Sequence, residues 1–337
     1  RHADFDEALA AAQREAQSAF GEARVLIEKY VSAPRHIELQ IFADRHGNTI
    51  HLNERDCSMQ RRHQKVIEEA PAPGMSASLR AQMGAAAVAA AQAVGYEGAG
   101  TVEFIADGAQ GLSGDKFWFM EMNTRLQVEQ PVTQAITGLD LVEWQFRVAA
   151  GEKLSLTQAQ VPLKGHAVEA RLYAEDPERG FLPSTGKLIA LRLPKAEGVR
   201  VDTGVEEGDA VTPFYDPMIA KVIAHAPTRG QALDRLAQAL NEIAVIGPRS
   251  NAGFLGALAR APAFRRGDFD TGFIDAHLAD LGAVPQGLDK AAVAQAAREW
   301  LFRERERVAL PESQSPWDAD DGFQLSGERR IELPLIA

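Results

Sequence analysis

The chain has 337 residues, of which 45% are hydrophobic and 25% charged, a composition typical of a globular protein with two domains or one large one. It carries 36 Lys and Arg against 47 Asp and Glu, and the net charge of −11 argues against general nucleic-acid binding. Its one cysteine, Cys57, excludes an internal disulfide and a zinc cluster built from cysteines, and fits a reducing compartment. No run of about 18 apolar residues is present, so no membrane span is predicted.

The first half of the sequence predicts helices mixed with strands. Asp4 and Glu7 have capping-box spacing and open a helix that Gly21 ends. Residues 35–43 alternate polar and apolar side chains, and a turn at residues 45–48 returns the chain as a hairpin. The other elements predicted here are strands at residues 25–30, 49–54, 100–106 and 116–123 and helices at residues 76–94 and 137–150.

The second half changes to short strand-like runs separated by Gly, Pro and Asp, with helical patterns toward its end. The predicted strands are residues 166–174, 186–193, 199–203 and 219–224, and the predicted helices are residues 228–244, 251–260, 273–281 and 290–308.

The most informative segment for chemistry is residues 117–129. If it is extended, alternation places five polar side chains on one face: Glu121, Asn123, Arg125, Gln127 and Glu129. A carboxylate and an amide two residues apart suit Mg²⁺, an arginine suits a small oxyanion, and a further glutamate suits a base. On composition alone, a solvated strand face is the favoured alternative.

Glu103 weakens that alternative because it lies in the preceding predicted strand, residues 100–106. A hairpin would bring it beside Glu121 or Asn123. Two neighbouring carboxylates repel each other unless a cation or a proton lies between them. A divalent metal that binds nucleotide phosphates is one solution.

Other candidates each have an ordinary structural alternative. Residues 61–65 concentrate positive charge, in Arg61, Arg62, His63 and Lys65, which indicates either an anion site or a solvated turn. Cys57 lacks an obvious His–acid arrangement and is interpreted as structural. Arg171 is flanked by apolar residues, which indicates either a charge that faces inward or a surface arginine on an edge strand. Residues 26–31 are interpreted as a strand end whose backbone groups could contact a nucleotide base, or as an ordinary strand end.

Several long blocks of sequence occur together: residues 28–30, 34–40, 54–65, 68–73, 98–104, 119–130, 171 with 174–177, 183–186 and 215–221. In this order, over about residues 1–282, they resemble the biotin carboxylase family of the ATP-grasp superfamily. The resemblance implies an α/β (α+β) fold, with an ATP-grasp central sheet, flanking helices and a β-rich C-terminal domain. It implies these domains: 1–30, the end of the ATP-grasp lid; 31–160, the ATP-grasp core; 161–282, the C-terminal domain; and 283–337, a linker helix and the start of a linking domain.

The resemblance also implies ATP- and bicarbonate-dependent carboxylation of biotin through carboxyphosphate. Two Mg²⁺ or Mn²⁺ ions would bind Glu103 and Glu121, with Asn123 assisting. The nucleotide would meet Glu28, Lys29, Tyr30, Val31, His36, Gln60 and His63. Bicarbonate would be held by Lys65, Arg125, Gln127 and the Val128 backbone. Glu129 would deprotonate bicarbonate, and Arg171 would stabilise the biotin enolate.

The chain opens on Arg1 rather than Met, and the family's N-terminal domain and Gly-rich lid lysine are missing, so we expect a piece of a longer protein that is a poor enzyme alone. Residues 315–325 resemble the start of the linking domain in α subunits of acyl-CoA carboxylases, the 3-methylcrotonyl-CoA type above all. That implies a biotin-carrier domain in the same parent chain, a carboxyltransferase β subunit, a hetero-oligomer and a bacterial cytoplasmic location. Nucleic-acid and membrane partners are not expected.

Three alternatives stay open at this point. The parent could be another acyl-CoA carboxylase, acting on geranyl-, propionyl- or acetyl-CoA. It could be another ATP-grasp ligase, although those are not expected to carry the whole run of residues 125–129 together with Arg171. The chain could also be an inactive fragment that serves assembly.

Overall fold

The computed structural model describes residues 2–114, 116–285 and 290–308. The chain divides into two compact units, Arg1–Ala283 and Val284–Ala337. The predicted mixed α/β fold is confirmed, since both helices and a large sheet are present. The predicted linking-domain start at residues 315–325 lies outside the described residues. Within them, no helix has both the length and the apolar character that a membrane crossing requires.

The first unit contains all the strands in the described part of the chain. In chain order they are β1 (Pro34–Ala43), β2 (Thr49–Arg61), β3 (Gln64–Ala70), β4 (Gly98–Asp107), β5 (Phe117–Asn123), β6 (His166–Tyr173), β7 (Glu175–Asp176), β8 (Leu182–Pro183), β9 (Gly186–Lys187), β10 (Ala190–Arg192), β11 (Val199–Thr203), β12 (Ala210–Val211), β13 (Met218–Ala226) and β14 (Ala244–Ile246). Eight of them form one antiparallel sheet in the order β11-β13-β6-β3-β2-β1-β4-β5. This sheet runs without a break across residue 160, and the domain boundary expected there stays a prediction.

The helices of the described residues are α1 (Phe5–Phe20), α2 (Ala77–Ala93), α3 (Gln130–Thr137), α4 (Leu141–Ala149), α5 (Arg229–Asn241), α6 (Ala252–Arg260), α7 (Pro262–Arg266), α8 (Phe273–Ala276) and α9 (Lys290–Val308). Helix α9 belongs to the second unit.

One face of the sheet is apolar because apolar and polar side chains alternate along β1. Ile37 and Leu39 are fully buried and pack with Leu79 and Met83 of α2. Helix α2 begins where the Ser76 hydroxyl accepts a hydrogen bond from the Leu79 backbone N–H at 3.1 Å, an N-cap that fixes its start. The alternate side chains of β1 therefore lie on the opposite face, which carries polar groups.

A second core lies where helices α5 and α6 pack against β6 and β13. Val168 and Leu172 of β6 are fully buried there with Val222 of β13 and Leu236 of α5. Since strand side chains alternate, residues 167, 169 and 171 of β6 face the other way. The polar face of the sheet thus extends from β1 into β6.

Several sequence predictions are wrong in detail. The strand predicted at residues 186–193 is two strands, β9 and β10, and the helix predicted at residues 273–281 ends at Ala276.

Three more differ in the first half. Residues 25–30 form no strand, since no strand pairs with them and Leu26 is 90% exposed. The helix predicted at residues 137–150 begins only at Leu141, because Gly138 takes a left-handed conformation (φ 73°) that ends α3 at Thr137 and the Asp140 side chain then caps α4. The extended segment predicted at 117–129 ends with β5 at Asn123, after which the chain turns into α3.

Candidate active site

The strand registers align charged residues across the polar face of the sheet. On one side of Glu38 lies Arg55, directly opposite on β2, and on the other lies Glu103 on β4. Glu121 of β5 is in turn opposite Glu103. Such direct pairs bring side chains within contact distance, so this face concentrates acidic groups and their cations.

The predicted hairpin of β4 and β5 is confirmed, and it brings Glu103 beside both Glu121 and Asn123. The Asn123 amide donates to Glu103 Oε1 and to Glu121 Oε1, each at 3.0 Å. Glu103 is buried whereas Glu121 is exposed, so the pair opens toward solvent on one side. Burial opposes ionisation of Glu103, but the His36 hydrogen bond and the Lys65 charge lower its pKa to about 2.

Lys65 is the hub of this face. Its ammonium group donates to Glu129 Oε1 at 2.5 Å, to Glu38 Oε2 at 2.6 Å and to Glu103 Oε1 at 3.2 Å. Burial disfavours the charged amine, but the surrounding carboxylates outweigh it and raise the pKa of Lys65. One lysine thus joins three carboxylates from β1, β4 and the N-terminus of α3.

Arg55 is fully buried beneath this hub. It donates to Glu38 Oε1 at 2.5 Å, and its remaining donors reach four side-chain oxygens: Gln40 Oε1 at 2.8 Å, Thr133 Oγ1 at 2.9 Å, Gln127 Oε1 at 3.0 Å and Thr101 Oγ1 at 3.2 Å. Burial opposes ionisation of Glu38, but Arg55 and Lys65 together lower its pKa to about 2. The planar guanidinium thereby joins β2 to β1, to β4, to the loop that contains Gln127 and to helix α3.

Arg171 of β6 reaches the same network from the other side. Its Nη2 donates to Glu129 Oε2 at 3.0 Å, and its Nε donates to Glu68 Oε1 at 2.5 Å. Burial disfavours the cation, but Glu68 and Glu129 raise the pKa of Arg171. Glu129 is therefore held between Lys65 and Arg171, with one oxygen on each. The interpretation of Arg171 as an inward-facing charge agrees with its burial.

Further predicted site residues join this network. Gln127 Nε2 donates to Glu103 Oε1 at 2.8 Å. His36 contacts Glu103 Oε2 at 2.8 Å and Gln60 Oε1 at 3.3 Å. Burial disfavours protonated His36, but the Glu103 hydrogen bond and the Glu38 charge raise its pKa. The Val128 carbonyl accepts a hydrogen bond from Lys221 Nζ at 2.9 Å. To hold bicarbonate, the Val128 backbone would have to donate from its N–H, so this contact does not test that role.

The remaining predicted residues form no hydrogen bond with Lys65 or its carboxylate partners in the described part of the chain. Arg125 is exposed, and its hydrogen bond within the described residues goes to the adjacent Leu126 carbonyl at 3.4 Å. His63 is exposed in the β2–β3 turn with φ 67°. The segment 28–31 is exposed except for Val31, and the Lys29 ammonium lies 4.3 Å from the Trp118 ring centre on β5. Their roles stay predictions.

The positive cluster at residues 61–65 is not one site in the structure. Arg61 is buried with its guanidinium 4.0 Å from the Phe181 ring centre, while Lys65 faces the carboxylates described above. Arg62 and His63 form the exposed turn between the strands. Cys57 is fully buried, and that burial raises the pKa of its thiol, in agreement with a structural role.

Sequence reasoning missed several members of the network. They are Glu38, Gln40, Arg55, Glu68, Thr101 and Thr133. The alternation of residues 36–40 carried a signal for Glu38 and Gln40, because a strand with one apolar face and charges opposite predicts a polar surface that needs partners. Arg55 and Glu68 lay in a charge-dense stretch without an obvious periodicity.

Two protein-family models match the chain. Residues 1–157 match "Carbamoyl-phosphate synthase L chain, ATP binding domain", and residues 169–276 match "Biotin carboxylase C-terminal domain". The two matches follow each other along the same sheet.

Among curated relatives, the α subunit of mitochondrial methylcrotonoyl-CoA carboxylase from Mus musculus is 49% identical over 331 residues, which is 98% of this chain and 45% of that subunit. The corresponding Dictyostelium discoideum subunit is 50% identical over 97% of this chain and 46% of its own length. The chain thus spans about half the length of these relatives. They contradict the expected bacterial cytoplasmic location, because both are mitochondrial subunits of eukaryotes.

A solved structure gives the same likeness. The biotin carboxylase domain of 2-oxoglutarate carboxylase from Hydrogenobacter thermophilus, in complex with MgADP, ADP and bicarbonate, is 42% identical with a TM-score of 0.75. The match covers 82% of this chain and 60% of that one.

Proposed function

Because the chain belongs to the biotin carboxylase family, whose members are ATP-dependent ligases, we propose that it carries the site at which biotin is carboxylated with ATP and bicarbonate. The observation that carries the proposal is the position of Glu129 between Lys65 and Arg171. A carboxylate with one oxygen on each of two cations is fixed in orientation, as a base that acts on a small bound anion must be.

The acidic pair at the β4–β5 hairpin fits a divalent metal. Glu103 and Glu121 are hard oxygen donors on directly opposed residues, and Asn123 bridges them. A second group, of His36, Glu38 and Glu103, has its donor atoms within 4.8 Å of one another, but Glu38 is already neutralised by Arg55 and Lys65. We therefore assign Glu103, Glu121 and Asn123 to Mg²⁺ or Mn²⁺. When bound, the metal would neutralise charge on the nucleotide phosphates.

The first chemical step would use Glu129. As base it would take the proton of bicarbonate while the bicarbonate oxygen attacks the γ-phosphorus of ATP, which forms carboxyphosphate and releases ADP. Lys65 lies against Glu129 Oε1 and can stabilise the negative charge that develops beside it. Arg125, which is exposed, is assigned to bicarbonate with Gln127. The exposed segment 28–31 is assigned to the nucleotide base, with His36, Gln60 and His63 nearer the phosphates.

The second step would use Arg171. Carboxyphosphate breaks into CO₂ and phosphate, the phosphate takes the N1 proton of biotin, and N1 then attacks CO₂. The biotin ureido oxygen carries negative charge while N1 is deprotonated. A buried arginine whose cationic form is stabilised by two carboxylates can donate hydrogen bonds to that oxygen.

The two curated relatives reported above favour an acyl-CoA carboxylase, and the methylcrotonoyl-CoA type among them, as the whole enzyme. The Hydrogenobacter protein is a carboxylase of a different substrate, 2-oxoglutarate. All three relatives therefore support the carboxylation of biotin, whereas only the first two support an acyl-CoA as the final acceptor. The proposed partners are bicarbonate, a biotin-carrier domain and a carboxyltransferase subunit, in a hetero-oligomer.

The test is ATP cleavage by the full-length protein in the presence of bicarbonate and free biotin. We expect Glu129→Gln to reduce biotin-dependent turnover by about 10²-fold or more, because the variant cannot accept the bicarbonate proton. Glu143→Gln is the matched control, since Glu143 is exposed and pairs with Arg147 on the surface. Equal turnover by both variants would contradict the role of Glu129. Bicarbonate-dependent ATP cleavage that free biotin does not stimulate would instead favour another ATP-grasp ligase. The absence of any ATP cleavage would favour an assembly role.

A further inference from the structure

Behind Arg171 lies a pair of buried carboxyl groups that the reaction above does not use. Glu68 of β3 and Glu169 of β6 are directly opposite each other in the antiparallel ladder, and both are 0% exposed. Glu68 Oε1 accepts from Arg171. Within the described residues, no donor reaches Glu68 Oε2 or either oxygen of Glu169.

No cation in the described part of the chain donates a hydrogen bond to Glu169. On its strand face, Ala167 packs in an apolar cluster with Val132, Ile136 and Ile223, and Ile223 is opposite Glu169 on β13. The charged groups that act on the pair from the elements around it are Lys65 and Glu68 on β3, Arg171 on β6, Lys221 on β13 and Glu129 at the start of α3.

Arg171 and Lys221, the two cations whose charges act on Glu169, donate their hydrogen bonds to other groups. Arg171 donates to Glu68 and Glu129, and Lys221 donates to the Val128 carbonyl and pairs with Asp202 at 3.4 Å. An ionised carboxylate buried without a partner costs several kcal/mol, whereas a protonated one does not carry that penalty. Two opposed carboxyl groups that cannot both ionise retain one proton between them.

We propose that Glu169 is protonated in the folded protein and donates to Glu68 Oε2, and that this pair positions Arg171 toward Glu129 and biotin. One proton then gives Glu68 Oε2 a donor and removes the charge of Glu169, and the pair keeps the single negative charge that Arg171 needs. Burial and the neighbouring Glu68 charge, which raise the pKa of Glu169 well above its usual value, are consistent with this arrangement. Glu68 and Glu169 are positioning residues, and their role rests on the proposed biotin reaction.

The first test needs no activity. In the full-length protein near pH 8, infrared spectra of the wild type should contain the carbonyl band of a protonated carboxyl group, which shifts in D₂O. Burial raises the pKa of Glu175 to about 7, so Glu175 is mostly ionised at this pH. Glu169→Gln should remove the band of one carboxyl group from the wild-type spectrum, and Glu143→Gln should leave the spectrum unchanged. If the band is absent from the wild type or is the same in Glu169→Gln, the proposal is overturned. The spectra report the protonation of Glu169 whether or not biotin is the substrate, so this proposal can fail while the proposed function holds, and the reverse.

If Glu169→Gln does not fold, the wild type is measured below and above the pKa of Glu175, which burial raises to about 7. A carboxyl band that remains after Glu175 has ionised is expected from Glu169. The absence of any carboxyl band at that point would overturn the proposal.

The second test separates positioning from general structure. Glutamine resembles the protonated acid, so Glu169→Gln should keep the KM for biotin within about twofold of the wild type near pH 7. We expect the wild-type KM for biotin to rise at alkaline pH, where Glu169 ionises and competes for Arg171, and we expect Glu169→Gln to remove that rise. Glu68→Gln should raise the KM for biotin about tenfold, with less change in biotin-independent ATP cleavage. A tenfold rise in KM for Glu169→Gln near pH 7 would overturn the proposal, because it would show that the ionised form is needed.

Discussion

The buried Arg55 guanidinium should be the largest single stabilising group of the polar face. Replacing it by leucine removes five hydrogen bonds, and it leaves Gln40 Oε1 and Gln127 Oε1 without these donors. Glu38 keeps Lys65 as its remaining cation. Removing one partner of a buried ion pair costs about 3–5 kcal/mol. At roughly 2–4 °C per kcal/mol, the melting temperature of this domain should fall by roughly 10 °C.

Differential scanning calorimetry of the full-length protein measures that shift. The matched control is Arg147→Leu, because Arg147 is exposed and its pair with Glu143 at 2.6 Å is a surface i,i+4 contact. Such pairs contribute about 0.5 kcal/mol or less, so the control should melt within about 2 °C of the wild type. Similar melting temperatures for Arg55→Leu and Arg147→Leu would refute the reasoning that Arg55 organises this face.

Three further outcomes are expected. Glu121→Gln should raise the Mg²⁺ concentration for half-maximal ATP cleavage about tenfold, measured by metal titration, because one ligand charge is lost while Glu103 remains. Glu38 and Glu103, with pKa values lowered from 4.5 to about 2, stabilise the fold fully above about pH 4.5. This contribution should be lost as the pH falls toward 2, which calorimetry across that range checks; a melting temperature independent of pH there would contradict it. Arg171→Lys should lower biotin-dependent turnover about 10²-fold in steady-state assays, since lysine lacks the two-sided fork that reaches Glu68 and Glu129, and wild-type turnover would contradict this.

Local sequence patterns predicted the strands and the hairpin whose contacts join residues close together in the sequence. The alternation at residues 35–43 predicted β1 and its two faces, and the short separation of the strands predicted at residues 100–106 and 116–123 favoured the hairpin of β4 and β5. These contacts depend on periodicity and on short connections, both of which are visible in one sequence. Glu103 beside Glu121 follows from them directly.

The rest of the site depends on contacts between distant segments. Arg171 meets Glu68 across 103 residues of sequence, and Arg55 meets Gln127 across 72. No local pattern encodes that β6 pairs with β3, and this pairing is what opposes Glu68 to Glu169. The turn after Asn123 was also hidden, so alternation grouped Arg125 with Glu129, whereas the folded chain leaves one exposed and buries the other.

The most direct test of the central claim follows oxygen from bicarbonate into phosphate. If bicarbonate attacks the γ-phosphorus beside Glu129, then ATP cleavage by the full-length protein with ¹⁸O-labelled bicarbonate and free biotin must transfer one labelled oxygen to each phosphate released. We predict that mass spectrometry of the phosphate detects this label, and that Glu129→Gln loses the labelled product together with turnover. Phosphate released at the full rate without the label would show that water, and not bicarbonate, attacks ATP, and would contradict the account.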